Sequence, residues 1–316
     1  MTAPGVVTIG ETMALMSTDK YGPLQHSSSL SLGIGGAESN VAIGLRRLGV
    51  DVTWIGKVGA DSLGDLVLRE ISAEGVTVVA VRDQGAPTAL MIKERRTSAQ
   101  TSIWYYREGN AGSRLGVDDV DFDLIRGASL LHLTGITPAL SDSMHDVALE
   151  AIRVAREASV PVSFDLNFRG RLWSREQAHA AYERIVPLAD IVFAGDDEAA
   201  ILVGEAEHPY DLADRLVALG AAEAVIKLGA AGAVSAVGGT HHQQDAIRVD
   251  VVDTVGAGDA FVAGYLAEYL AGEDAATRLR TAVTVGAYAC LASGDWEGLP
   301  RRHELTLLGA AEPVTR

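Results

Sequence analysis

Asp253-Thr254-Val255-Gly256-Ala257-Gly258-Asp259-Ala260-Phe261 runs from one acid through three small residues to a second acid, and a helical pattern, Ala260–Leu270, follows at once. Small side chains leave backbone amides unshielded, and such a loop feeding a helix N-terminus gathers N–H dipoles where an anion can sit. A carboxylate inside that loop repels a phosphate unless it performs proton chemistry on a neighbouring group. The combination points to phosphoryl transfer, with the amides of Gly256, Ala257 and Gly258 steadying the transferred group and Asp259 accepting a hydroxyl proton. The same letters also spell a glycine-rich turn with Asp259 as the helix N-cap.

Upstream, short apolar runs alternate with longer helical patterns. Val6–Gly10, Val52–Val58, Leu130–Thr134, Val162–Leu166, Ile191–Ala194 and Ala224–Leu228 read as strands buried on both faces. Asn40–Leu48, Leu63–Glu74, Ser143–Ala158, Arg175–Pro187 and Leu212–Leu219 read as helices, and Ser174 with Gln177 has capping-box spacing. Strands separated by single helices imply right-handed crossovers, hence an α/β fold with a mostly parallel sheet. Two segments break the rhythm. Residues of about 12–34 contain Gly22-Pro23 and a Ser-Leu alternation, and about 88–107 read as a hairpin. That hairpin is either an edge of the main sheet or a small β flap that excludes water from an active site.

Composition removes several classes of function. Lys and Arg number 26 against 42 Asp and Glu in 316 residues, a formal charge of −16. Nucleic acids and anionic membranes recruit the opposite sign, so neither is an expected partner. A hydrophobic fraction of 48% with 22% charged residues suits a globular chain with ample core. The single cysteine, Cys290, cannot form an internal disulfide. The start, Met1–Gly5, lacks the layout of a signal peptide, and no run reaches the ~18 apolar residues of a membrane helix, so a cytoplasmic location is expected. No GxxxxGK[ST] is present, which excludes a P-loop mechanism. No GxGxxG follows the first strand either, since Val6–Gly10 leads straight into Glu11, and a dinucleotide enzyme loses most of its support, a nicotinamide oxidoreductase staying as a third reading.

Asp253–Leu266, with its small pair Ala263-Gly264, resembles the C-terminal signature of the ribokinase-like (PfkB) family of carbohydrate kinases. Gly35-Gly36-Ala37-Glu38-Ser39-Asn40 resembles that family's N-terminal glycine motif. Glu38, Tyr105-Tyr106-Arg107, Ala111-Gly112-Ser113, Leu133–Ala139 and Asp165–Trp173 are similar to the branch that phosphorylates 2-keto-3-deoxygluconate. The resemblance implies a three-layer fold with a mostly parallel central sheet, one kinase domain over 1–316, and a small β lid from about 12–34 and 88–107. It implies transfer from ATP to a small sugar acid, giving the 6-phosphate, with Asp259 as general base.

The resemblance also assigns residues. Substrate contacts fall to Gly35, Gly36, Ala37, Ser39, Asn40, Tyr105, Arg107, Arg169, Asp259 and Asp295. Nucleotide contacts fall to Asn167, Arg169, Lys227, Gly229, Gly232, Gly256 and Gly258. Mg2+ is expected on Glu198 through water, within Gly195-Asp196-Asp197-Glu198, where the family's Asn-x-x-Glu element lacks its Asn. A monovalent cation such as K+ is expected on backbone carbonyls near the Asp253–Gly258 loop. Met91 stands where related kinases for this substrate offer a Tyr hydroxyl.

The residues carry their own chemistry and their own plainer readings. A sugar carboxylate needs cationic donors, and guanidinium supplies them in a planar fork. Arg107 on the flap and Arg169 beyond a strand's C-terminal end converge on one ligand in this reading, and are solvated surface arginines in the other. The Gly35–Asn40 segment also reads as a turn capped by Ser39 or Asn40, Lys227–Gly232 as a β-turn, and the three acids at 196–198 as a solvated helix start. His241-His242 reads as an exposed turn and Cys290 as a small core residue. An ordinary Asp with a pKa of about 4 is a weak base, which suffices where proton transfer is late. Other readings are a kinase for fructose, ribose, a nucleoside or another keto-deoxy acid, and a catalytically silent sugar-binding homologue. The flap's outer face leaves a homo-oligomer open.

Overall fold

The apolar runs become strands of two sheets in a computed structural model that describes residues 5–97 and 100–308. Both ends of the expected 1–316 domain and positions 98–99 of the expected flap lie outside the described residues. The strands are β1 (Val6–Ile9), β2 (Met13–Ser17), β3 (Ser31–Gly35), β4 (Val52–Gly59), β5 (Thr77–Asp83), β6 (Leu90–Arg95) and β7 (Thr101–Tyr106), followed by β8 (Leu130–Thr134), β9 (Val162–Asp165), β10 (Ile191–Gly195), β11 (Glu223–Lys227), β12 (Ala233–Val237) and β13 (Thr240–Gln244).

The large sheet has the order β13-β12-β11-β10-β9-β8-β1-β4-β5. It is parallel from β5 to β11, and only β12 and β13 add as an antiparallel edge. Its central strands are β-branched and aliphatic because helices cover both faces. One face packs against the helix Asp142–Glu157, the other against Ala37–Arg47, Ala257–Leu270 and Ala275–Ala289. The helix Ala257–Leu270 is buried from Asp259 to Glu268, in keeping with its apolar character all round. The small pair of the signature makes that burial possible. A Cβ on Gly264 would sit 2.9 Å from the Ala282 Cα of the neighbouring helix.

The small sheet has the order β3-β2-β6-β7, and its apolar face is Met13, Leu15, Ala89 and Met91. The hairpin at 88–107 is therefore a lid with β2 and β3, not an edge of the main sheet. Its pairing partner β2 lies far upstream, so local pattern could not choose between the two. Leu32, Trp104 and Tyr106 are exposed on this sheet. No described helix is long and apolar enough to cross a membrane.

Several local readings change. The helix after the glycine loop starts at Ala257 with Gly256 as N-cap, so Asp259 is its third residue and not a cap. Neither Ser39 nor Asn40 caps the helix Ala37–Arg47: Ser39 Oγ donates to the Gly36 carbonyl, and the Asn40 side chain leaves for another helix. His241 and His242 lie in β13, where His241 stacks on Tyr210 and meets Asp214. Cys290 is a partly exposed helix C-cap. Ser174 and Gln177 do form the expected capping box.

Candidate active site

Strand C-terminal ends converge where open α/β sheets place their sites. Gly10 and Glu11 follow β1, Thr134 ends β8, Asp165 ends β9, Gly195 ends β10 and Lys227 ends β11. Above them the lid closes a cleft of about 800 Å³. Gly35, Gly36, Ala37, Asn40, Tyr105, Arg107, Arg169, Gly256, Asp259 and Asp295 all line it. Ser39, Asn167, Glu198, Lys227, Gly229, Gly232, Ala257 and Gly258 do not.

Asp259 sits in the first turn of its helix, 8% exposed, and its Oδ2 accepts a hydrogen bond from Asn40 Nδ2 at 2.8 Å. Burial pushes its pKa up to about 7, against the pull of Asn40, Arg169 and Lys227 and with a push from Asp165. The ordinary value near 4 expected from residue type is thus overturned by position. Gly256 holds φ +78°, and a Cβ there would collide with the Asp295 carbonyl oxygen, so only glycine fits this bend. The Ala257 amide donates to the Thr254 carbonyl at 3.3 Å. The amides of Gly258 and Asp259 have no carbonyl four residues back within the helix, and a helix start offers such groups to an anion.

Next to this loop, Lys227 Nζ reaches both oxygens of Asp165, each at 2.7 Å. Gly258 lies against that ammonium: a Cβ on it would be 3.8 Å from Nζ. Asn167 is buried with φ +40°, a left-handed conformation that asparagine tolerates better than most residues. Gly229 and Gly232 bracket the short turn after β11. Glu198 caps its own helix: Oε2 accepts from the Gly195 amide at 2.7 Å and Oε1 from the Phe168 amide at 3.0 Å. Each oxygen keeps a further acceptor position, so the carboxylate can also hold a water. Among the described residues no group of three or more His, Cys, Asp or Glu is arranged to hold a metal directly.

The lid side of the cleft is more heavily charged than expected. Arg107 donates to Glu11 Oε2 through Nε at 2.8 Å and Nη2 at 2.5 Å. Glu11 is fully buried, and burial raises its pKa while Arg107 opposes that shift. Glu38 is also buried: its Oε1 accepts from Thr134 and Thr137 at 2.7 and 2.6 Å, while Oε2 has no partner. Burial raises its pKa too. Arg171 lines the cleft and donates to the Ile103 carbonyl of the lid at 2.9 Å. Tyr105 lies beneath the guanidinium groups of both Arg107 and Arg171. Asp295 is held up to about 6 by burial, with Lys93 opposing.

Glu11, Asp165, Arg171 and Lys93 escaped the sequence reading as site residues. Lys93 had a usable signal, because it shares the buried phase of β6 with Met91 and a charge in that phase needs a partner. Glu11 and Asp165 stand at or just past strand C-terminal ends, which is a weaker one.

Comparison with known proteins adds a lineage. The family model described as pfkB family carbohydrate kinase matches residues 3–302. The 2-dehydro-3-deoxygluconokinase of Bacillus subtilis is 39% identical over 311 residues, covering 97% of this chain and 95% of that one. The 2-dehydro-3-deoxygalactonokinase of Haloferax volcanii is 33% identical over 292 residues and 92% of each chain. The solved 2-dehydro-3-deoxygluconokinase of Thermotoga maritima has a TM-score of 0.91 over 96% of this chain and 99% of that one, at 26% identity.

Proposed function

The chain belongs to the pfkB family of carbohydrate kinases, and from that premise we propose that it phosphorylates 2-keto-3-deoxygluconate (2-dehydro-3-deoxygluconate) at its 6-hydroxyl with ATP. The reading rests on one observation above all: Asp259, with a pKa near neutrality, shares a cleft with Arg107, Arg169 and Arg171. A carboxylate base suits the hydroxyl, and a cluster of guanidinium groups suits an acid sugar rather than a neutral one.

In this mechanism the arginines and the Gly35–Gly36 backbone orient the sugar with its 6-hydroxyl toward Asp259. Asn40 holds one oxygen of Asp259 and leaves the other for the substrate. Asp259 accepts the hydroxyl proton as the sugar oxygen bonds to the γ-phosphorus and the bond to ADP breaks. The helix-start amides at Gly258 and Asp259 then face the charge that develops on the transferred group. Lys227, fixed by Asp165, adds a cation next to that loop. The nucleotide lies along Asn167, Arg169, Lys227 and the Gly229–Gly232 turn. Mg2+ fits Glu198 through a water, since both oxygens keep an acceptor position, and when bound it neutralises phosphate charge. The lid, through Tyr105 and Arg107, excludes water from the transfer.

A panel of 2-keto-3-deoxygluconate, its galactonate epimer, fructose and ribose, scored by ADP release with the phosphate position assigned by NMR, tests this reading. The gluconate acid is expected to lead in kcat/KM with a 6-phosphate product. A lead for the epimer moves the substrate to that of the Haloferax volcanii relative, and a lead for fructose or ribose overturns the acid-sugar assignment.

A further inference from the structure

Lys93 is the most deeply buried lysine-bearing point of the lid, 1% exposed on β6, and its Nζ lies 2.5 Å from Asp253 Oδ2 and 3.4 Å from Asp295 Oδ1. We propose that this ammonium is the fixed monovalent cation of the site, so that turnover needs no K+ or other added monovalent ion. The proposal rests on the kinase reading above and deepens it.

Each of the three groups has a second attachment. Asp253 heads the amide loop: its Oδ1 accepts from the Val255 amide at 3.2 Å, and its Oδ2 faces the Gly294 amide at 3.5 Å. Asp295 lines the cleft, and its backbone carbonyl is packed against Gly256. Lys93 comes from the lid. One charge therefore joins the lid, the loop that carries Gly256 to Asp259, and the turn that walls the loop from behind.

Two buried carboxylates that close to the place where phosphate charge gathers need a counter-charge. Among the described residues, Lys93 supplies the one ion-pairing cation that either carboxylate has. A potassium ion held by carbonyls of this loop would lie close to an ammonium already fixed on Asp253, and like charges at short range repel. The ammonium is tethered and buried, and its departure would strand both acids. A cation is thus already fixed beside the loop at which a monovalent ion was expected. Lysine's ammonium is a compact point charge and supplies the single positive charge that a monovalent ion would otherwise bring. Lys93 is a positioning residue in this scheme, acting on the amide loop through Asp253.

A cavity of about 250 Å³ runs beside the pair, bounded by Lys93, Asp253, Ser293, Gly294 and Glu297. It offers a route by which an ion could reach Asp253 once the lysine is gone.

The test compares kcat in buffers whose monovalent cation is tetramethylammonium, K+, Na+ or NH4+ at constant ionic strength. Wild-type kcat is expected to agree among them within about twofold. Lys93→Met should lose about tenfold or more in kcat without monovalent metal, with sugar KM within about threefold, and K+ or NH4+ should restore much of the loss. Lys93→Arg, which keeps a charge, should remain insensitive to cations. A wild-type enzyme activated tenfold by K+ overturns the proposal, as does a Lys93→Met enzyme that keeps its rate or that no monovalent ion relieves. If Lys93→Met does not fold, the wild-type series alone decides. No phosphorylation of any sugar in any buffer sinks the kinase reading instead, whereas turnover that requires K+ sinks only this inference.

Discussion

Asn40 Nδ2 donates to Asp259 Oδ2 at 2.8 Å across a sequence separation of 219 residues, so the first turns of two helices meet at one carboxylate. The bond orients the acid, stabilises its charged form against burial and leaves its other oxygen available. A carboxyl group whose pKa is raised by burial and drawn back by one amide has measurable consequences.

Asp259→Asn should lower kcat by about 10³-fold, within the range of general-base contributions, while sugar KM changes little. The same substitution bears on stability. The folded pKa of Asp259, about 7, lies above the ordinary aspartate value of 3.8. The favourable contribution of the protonated acid is therefore fully present below about pH 4 and is lost as pH rises through 7. The variant should melt higher than wild type at pH 8 and no higher at pH 4. A variant with kcat within tenfold of wild type refutes the base assignment.

The pH profile of kcat/KM should fall on the acid side with an apparent pKa near 7, as Asp259 of the free enzyme takes up its proton. Asn40 favours the charged carboxylate, so Asn40→Ala removes that support and moves the limb to higher pH. A limb that stays in place, or moves toward acid, would show that another group governs the profile.

Arg107 and Arg169 should separate by where their losses appear. Arg169 is exposed over 47% of its side chain and pairs only loosely with Glu198, at 4.0 Å. Arg169→Ala should raise KM for the sugar acid about tenfold and leave stability nearly unchanged. Arg107→Ala also strands the fully buried Glu11, which costs about 3 kcal/mol or more of stability in addition to the loss of affinity. Chemical denaturation of both variants, beside sugar KM, checks the split. Equal stability losses would contradict it.

Gly256→Ala and Gly258→Ala form a matched pair. The first places a Cβ on the Asp295 carbonyl at φ +78° and should destabilise the protein by about 2 kcal/mol or more and abolish turnover. At Gly258 the nearest neighbour of a Cβ would be Lys227 Nζ at 3.8 Å, so folding should survive. Thermal unfolding of the two variants decides the matter. A Gly256→Ala protein as stable as Gly258→Ala would mean the loop can relax away from the turn.

Glu38→Gln should stabilise the protein at pH 8. Its Oε1 keeps the hydroxyls of Thr134 and Thr137, while the buried and unpartnered charge on Oε2 disappears. Because the folded pKa of Glu38 is raised, the gain vanishes as pH falls toward the ordinary carboxylate range. A melting temperature raised by about 2 °C or more at pH 8 but not at pH 5 is the expected outcome.

Much of this was legible in the letters. The parallel core strands, the helices between them and the loop of small residues leading into a helix follow from apolar runs, periodicity and residue size, all local properties, although that helix begins at Ala257 and not at Ala260. The lid was only half legible, since β6 and β7 read as a hairpin but their attachment to β2 depends on residues some 75 positions away. Asp259 stands out in the letters as an acid beside a loop of small residues, yet an ordinary carboxylate pKa was expected of it, because pKa follows burial and burial is not local. Glu11 was missed for the same reason, whereas Lys93 could have been noticed from its place in the buried phase of β6.

Local sequence determined which segments become strands and helices, and which loop gathers amides, because those depend on neighbours along the chain. Tertiary structure decided what each charged group means. The pairings Asn40–Asp259, Arg107–Glu11, Lys227–Asp165 and Lys93–Asp253 join residues from distant segments, and the energy of a charge is set by its solvent exposure and its partner in space.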